Sequence, residues 1–226
     1  MKSFLLIAFA LIGISIACVP NKSALTSSPN SNTPINRPSD QPASSADQSN
    51  ALCQLTLAGA PDLNGIRLGM TPDEVLALFP GSKDDAEVQN YLSRRPSQFG
   101  VSELAIKPAR FESKEKFTGI NQITFALLDG RVSTFTVNYG GPEYSHVDKF
   151  VSKFIDGKNL PPPDQWEAYV GMDNQLKTLK CAEFEIRVFA GGSGGNLNYV
   201  LMKDLVADKK LKERRDKARE KATPSP

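Results

Sequence analysis

Two periods of apolar spacing run through this chain, and the switches between them mark out its elements. Val75, Leu78 and Phe79 fall on one helical face, and the residues ahead of them form a helix start. Thr71 stands at the N-cap, Pro72 at the first helical position and Glu74 three residues after the threonine. In such a capping box the hydroxyl takes one unpaired N–H and the carboxylate takes another. Met70 and Val75 occupy the two positions of a hydrophobic staple, and Pro80-Gly81 stops the helix. The acids Asp73 and Glu74, which look catalytic in isolation, thus have structural work. A second helix is predicted over 145–155. Ser145 is its cap, Asp148 sits at the capping-box position, and Val147, Phe150, Val151 and Phe154 line one side. Gly157 supplies a left-handed exit, and Pro161-Pro162-Pro163 bars continuation.

Strand-like alternation follows each helix. Residues 104–111 form one candidate strand. Residues 122–128 and 131–139 flank Asp129-Gly130, the strongest hairpin signal in the chain. Phe184, Ile186 and Val188 alternate with Glu183, Glu185 and Arg187, the pattern of a sheet with one wet face. Gly191 to Asn196 then turns the chain into a last strand over 197–202. Helix followed by antiparallel strands occurs twice. The expected fold is α+β, an antiparallel sheet with short helices packed on one face, in a single domain over 51–204.

The ends of the chain have a different character. Lys2 and the uncharged apolar run 4–16, followed by Ala17-Cys18, have the layout of an export signal over 1–17 and are too short for a comfortable membrane span. Residues 18–50 are rich in Ser, Asn and Pro and bury too little to offset ordering entropy, so they are expected to be a disordered tether. As a flexible coil this tether holds the domain roughly 30 Å from its anchor. Residues 205–226 form a charged helix or tail in which Leu211 is almost the only large apolar side chain. No face of it can insert into a bilayer. Asp208 with Lys212 and Glu213 with Lys217 have favourable i,i+4 spacing. The tail is either a solvated, fraying helix or a polybasic contact to anionic lipid, polysaccharide or peptidoglycan.

The net charge of the 226 residues is +2, but it is unevenly spread. Residues 203–226 hold nine basic and five acidic groups, whereas 51–202 hold fifteen and eighteen. A mildly acidic body excludes a domain that wraps nucleic acid. There are three cysteines, Cys18, Cys53 and Cys181. If Cys18 takes lipid, Cys53 and Cys181 are free to pair in an oxidising compartment; the alternative is two separate buried thiols. A disulfide closing so long a loop restricts the unfolded chain by about 4–5 kcal/mol in the loop-entropy model. No CxxC or histidine cluster accompanies them, so no metal is expected.

Catalytic candidates are few. His146, the one histidine, falls on the first turn of the second helix, and its position alone defines no dyad. The run 191–195, Gly-Gly-Ser-Gly-Gly, lacks the Lys-Ser/Thr and the following helix of a phosphate loop and is expected to be a hairpin loop. Asp84 and Asp85 lie in a loop. Trp166 and Tyr169 form either an exposed aromatic contact for a partner or the plug of a core edge. No catalytic residue and no cofactor are expected.

Residues 14–18, Ile-Ser-Ile-Ala-Cys, resemble a bacterial lipobox, which implies that Cys18 is acylated and becomes the mature N-terminus; an ordinary signal peptidase cutting at the same bond leaves a secreted protein. Residues 68–75, Leu-Gly-Met-Thr-Pro-Asp-Glu-Val, resemble the helix start of small envelope lipoproteins of the SmpA/OmlA kind and of the related β-lactamase-inhibitor-like modules. That resemblance implies short helices ahead of an antiparallel sheet and a role as scaffold or inhibitor through protein contacts. The function expected is that of a monomeric, non-catalytic protein, lipid-anchored on the periplasmic or extracellular side of a bacterial membrane and binding an envelope protein or cell-wall component. A secreted inhibitor-like domain and a carboxylate-based hydrolase are the alternatives.

Overall fold

The computed structural model describes residues 53–169 and 175–222. The chain divides into two units, Met1–Ser45 and Ala46–Pro226, and all described residues belong to the second. The expected signal segment, Cys18 and the tether lie outside them.

Thr71 opens helix α1 (Pro72–Ala77) with a complete capping box: the Glu74 N–H donates to the threonine hydroxyl, and the Thr71 N–H donates to the Glu74 carboxylate at 2.7 Å. Met70 and Val75, the staple pair, are both buried. Helix α2 (Ala86–Leu92) follows at once and was not expected. Asp85, which the sequence places in a loop, caps it by accepting from the Glu87 and Val88 N–H groups. Val88 is its only buried residue, so it leaves no periodic signature.

Seven strands make one antiparallel sheet: β1 (Val101–Ile106), β2 (Ile120–Leu128), β3 (Arg131–Tyr139), β4 (Glu167–Ala168), β5 (Leu176–Lys180), β6 (Phe184–Phe189) and β7 (Asn198–Asp204). Their order is β1-β2-β3-β7-β6-β5-β4. Two meanders are thus joined through their last strands, β3 against β7. Asp129 and Gly130, both at positive φ, close the β2–β3 hairpin as a two-residue primed turn. The first strand starts earlier than expected and ends at Ile106, because Pro108 turns the chain toward Phe111.

Helix α3 (Val147–Ile155) links the meanders and buries Val147, Phe150, Val151 and Phe154, as its spacing requires. Its cap is His146, not Ser145: the Asp148 N–H donates to His146 Nδ1, while Ser145 Oγ accepts from Lys149. Ile123, Phe125, Phe135, Val137, Ile186, Val188, Val200 and Met202 alternate inward along their strands and join Val75, Phe79, Phe150 and Phe154 in one apolar core. The opposite sheet face is mostly half-exposed. Glu185 departs from the wet-face expectation at 8% exposure; it is paired with Arg187 at 2.6 Å and flanked across the strands by Lys203 and Lys180.

Cys53 and Cys181 form a disulfide. The first described residue is therefore bonded to the turn between β5 and β6, where Glu183 also accepts from the Leu57 N–H at 2.9 Å.

Helix α4 (Leu205–Ala222) begins where β7 ends and docks through a narrow stripe. Ala207, Leu211, Arg214 and Ala218 are half-buried, while most of their neighbours are exposed. Nine residues of helical rise, about 14 Å, are enough to carry the helix from the end of β7 past β3 to the β2–β3 turn and the chain ahead of β1. Arg214 accordingly lands on the β2–β3 turn, where it grips Asp129 with both terminal nitrogens (2.9 and 2.8 Å) and donates to the Phe99 carbonyl at 2.7 Å. Lys210 adds a third contact to Asp129 at 2.9 Å. Gly100, at φ +81°, is required beneath this clasp, since a Cβ there would meet Asp129 Oδ1 at 2.4 Å. Among the described residues neither expected i,i+4 pair forms; Asp208 reaches Lys203 on β7 instead, at 3.6 Å. The segment is a fastened helix, unlike the fraying one that its composition suggests.

Candidate functional site

A cavity of about 670 Å³ lies where the C-terminal end of β3 meets α3. It begins with a buried asparagine. Asn198, 1% exposed at the start of β7, accepts from the Gly191 N–H (3.1 Å) and donates to the Pro142 carbonyl (2.7 Å). The Gly194 N–H donates to Glu143 at 3.3 Å. These bonds fasten the segment after β3 to the β6–β7 connection and so place Tyr144 over α3.

Three rings then make one wall. Tyr144 stacks on Phe150 with centroids 4.9 Å apart, and Tyr139 meets Phe150 edge-on at 5.5 Å. Burial, with the nearby Tyr144 adding to it, pushes the Tyr139 phenol up to about 12, so it stays neutral at any physiological pH. Lys153 and Lys158 line the cavity from α3 and the turn after it, with the Lys158 ammonium 5.1 Å from the Phe154 ring centre. Asp62, Asn64 and Thr118, all exposed, add polar groups to the lining. There Asp62 accepts from the Gly65 N–H (2.9 Å) and Asn64 donates to the Lys116 carbonyl (3.0 Å), bonds that hold the turn in shape. A cavity of this volume, with aromatic walls and a few convergent polar groups, has the form of a small-molecule site.

The residues singled out in the sequence lie elsewhere. Cys18 is outside the described residues. Cys53 and Cys181 are joined, which removes the two-thiol alternative. Trp166 and Tyr169 part company. The indole is 3% exposed, packs edge-on against Phe154 and donates from Nε1 to the Pro161 carbonyl at 3.0 Å. Trp166 is thus the plug of a core edge and not part of an exposed contact, whereas Tyr169 is 60% exposed. His146 is engaged as the α3 cap, 3.0 Å from Asp148 Oδ2, and Asp148 also pairs with Lys177 at 2.6 Å. The run 191–195 is the β6–β7 connection, with two of its N–H groups taken by Asn198 and Glu143. Asp85 and Glu87 both bind Arg110, which ties α2 to the turn after β1. Among the described residues no group of three or more His, Cys, Asp or Glu side chains is placed to hold a metal ion, and no helix is long and apolar enough to cross a membrane.

Sequence reasoning missed Tyr139, Tyr144, Lys153, Lys158 and Asn198. Only the two tyrosines flanking Gly140-Gly141-Pro142 gave a local hint, because the cavity draws on four separate segments of the chain.

No protein-family model and no curated protein matches this chain. Among solved structures it is similar to an extracellular protein containing an SCP domain from Bacillus anthracis str. Ames, at 15% identity and a TM-score of 0.35. The match covers 65% of this chain and 46% of that one, so the chain spans under half of the relative's length.

Proposed function

We propose that the chain is a non-catalytic, lipid-anchored protein of a bacterial cell envelope whose α+β domain binds another envelope component. The observation that carries this reading is the disulfide between Cys53 and Cys181. Structural disulfides persist in oxidising compartments and are rare in the cytosol. The bridge therefore supports the export signal read in residues 1–17, and it leaves Cys18 as the one cysteine outside the pair. Binding in preference to catalysis is supported by the cavity lining, where aromatic rings, two lysines and one aspartate include no nucleophile–base couple. Within this reading the chain stands with the small envelope lipoproteins that residues 68–75 resemble.

Metabolic labelling with palmitate, followed by membrane fractionation of wild type and Cys18→Ala, tests the anchor. Label in the wild type and its loss with release from the membrane in the variant is the expected result. An unlabelled protein in the culture medium would instead make it a secreted binding domain. Unprocessed protein in the cytosol with both later thiols alkylatable would refute export altogether. Crosslinking in intact cells then identifies the bound component.

A further inference from the structure

The lining of the cavity narrows what it can hold. Lys153 and Lys158 have no carboxylate partner among the described residues, whereas Arg110, Lys177, Arg187, Lys203 and Arg214 are ion-paired. Two ammonium groups without a carboxylate partner in one cavity lining favour an anion. Asp62, which lines the same cavity, offsets part of that charge, so a ligand with a single negative group fits better than a multiply charged one. The half-buried rings of Tyr139 and Tyr144, one edge-on to Phe150 and the other stacked on it, offer aromatic surface to a ligand. A purely hydrocarbon acid would use that surface but would offer nothing to the exposed polar groups of Asp62, Asn64 and Thr118 beside it. A ligand with one apolar face and hydroxyls around its rim satisfies both at once. That combination describes a sugar ring, whose axial C–H groups lie against aromatic rings while its hydroxyls bond outward.

We propose that this cavity binds a carboxylate-bearing sugar, with its ring against Tyr139 and Tyr144, its carboxylate toward Lys153 and Lys158, and its hydroxyls toward Asp62, Asn64 and Thr118. The inference deepens the envelope-binding reading by naming the component as an anionic saccharide, free or as part of a polymer.

The test uses the purified chain from residue 19 onward with its disulfide intact, and ligand-observed and protein-observed NMR titration. The probes are N-acetylmuramic acid and glucuronic acid, each set against its neutral counterpart, N-acetylglucosamine and glucose. Both acids should saturate with shifts centred on Tyr144, Phe150 and Lys153, and the neutral sugars should bind about tenfold more weakly, the scale of a lost charge-assisted hydrogen bond. Lys153→Gln with Lys158→Gln should bring the acids down to the level of the neutral sugars without changing the far-ultraviolet dichroism, since Lys153 is exposed and Lys158 is only half-buried. Tyr144→Phe keeps the stack and should weaken all four sugars modestly. Sedimentation with peptidoglycan sacculi or with an acidic polysaccharide then separates a polymer-borne sugar from a free one. Acids that bind no better than their neutral forms, or a lysine double variant that binds them normally, overturn the proposal. Either result can occur while palmitate labelling succeeds, so failure here is distinguishable from failure of the envelope reading.

Discussion

Substituting Asn198 probes the joint on which the cavity depends. Its amide is 1% exposed and serves two loops at once, accepting from the Gly191 N–H and donating to the Pro142 carbonyl. Asn198→Ala removes both partners together and leaves a donor and an acceptor facing a space the size of an amide group. A buried polar group without a partner costs about 1–3 kcal/mol. Two of them, partly relieved by water entering the vacated space, give an expected loss of about 2–4 kcal/mol. For a domain of this size each kcal/mol lowers Tm by about 2–4 °C, so the whole effect is roughly 5–15 °C. Asn198→Asp separates the two bonds: it keeps the acceptor for Gly191 but turns an oxygen toward the Pro142 carbonyl and buries a charge. It should be at least as unstable as the alanine variant. Urea denaturation monitored by the Trp166 fluorescence gives the midpoint and the slope together, and an unchanged slope would assign the effect to the native state. A loss in Asn198→Ala below about 0.5 kcal/mol, the size of an ordinary surface change, would refute the clasp, as would an aspartate variant as stable as wild type.

Three further outcomes follow from described contacts. Tyr139 should ionise late in an alkaline titration; because its folded pKa of about 12 lies above the ordinary value of 10.0, stability is full below pH 10 and falls between pH 10 and 12 as the unfolded chain ionises first. That loss is about 2–3 kcal/mol, and absorbance titration with denaturation of Tyr139→Phe, which should lack this slope, checks it. Asp129 has its carboxyl held well below the usual range, chiefly by its hydrogen bonds from Arg214 and Lys210, so the α4 clasp is present above the ordinary pKa of 3.8 and is lost as pH falls further; hydrogen exchange should show α4 amides opening in acid, and in Asp129→Asn at neutral pH, while the sheet stays protected. Reduction of the Cys53–Cys181 bridge, or Cys181→Ser, should cost about 2–5 kcal/mol, read as a fall in Tm, and peptide mass spectrometry without reductant should find the two cysteines linked.

What the sequence revealed depended on how local the causes are. The α1 capping box involves four consecutive residues and formed as expected, and the Asp129-Gly130 turn needs only two residues able to take positive φ. The α3 cap shows the limit of that logic. Ser145 is the better capping residue by propensity, yet the extended backbone at His146 (φ −156°, ψ 136°) puts the imidazole in the capping position. Helix α2 was invisible because a seven-residue helix on the surface needs one apolar contact, Val88, and a cap, and no more. Helix α4 misled for a related reason. Its docking stripe includes a single large apolar residue, and much of its attachment comes from Arg214 and Lys210 meeting an aspartate 81 or more residues away in sequence. The cavity combines both difficulties: Phe150 was legible as a core position, but its meeting with Tyr139, Tyr144 and the polar turn at Asp62 is a product of β3 pairing with β7.

The bridge at Cys53 has a mechanical side. A protein hung from its leading end feels drag on its body as tension in the strand of chain ahead of the first fixed point. In the proposed anchored state that point is a covalent link into the turn between β5 and β6, so a tug is delivered to a hairpin near the far edge of the sheet. The N-terminal segment, which otherwise could be unzipped one hydrogen bond at a time, is shielded from the load. Cutting the bridge should lower the force at which a single tethered molecule begins to unravel far more than it lowers resistance to heat.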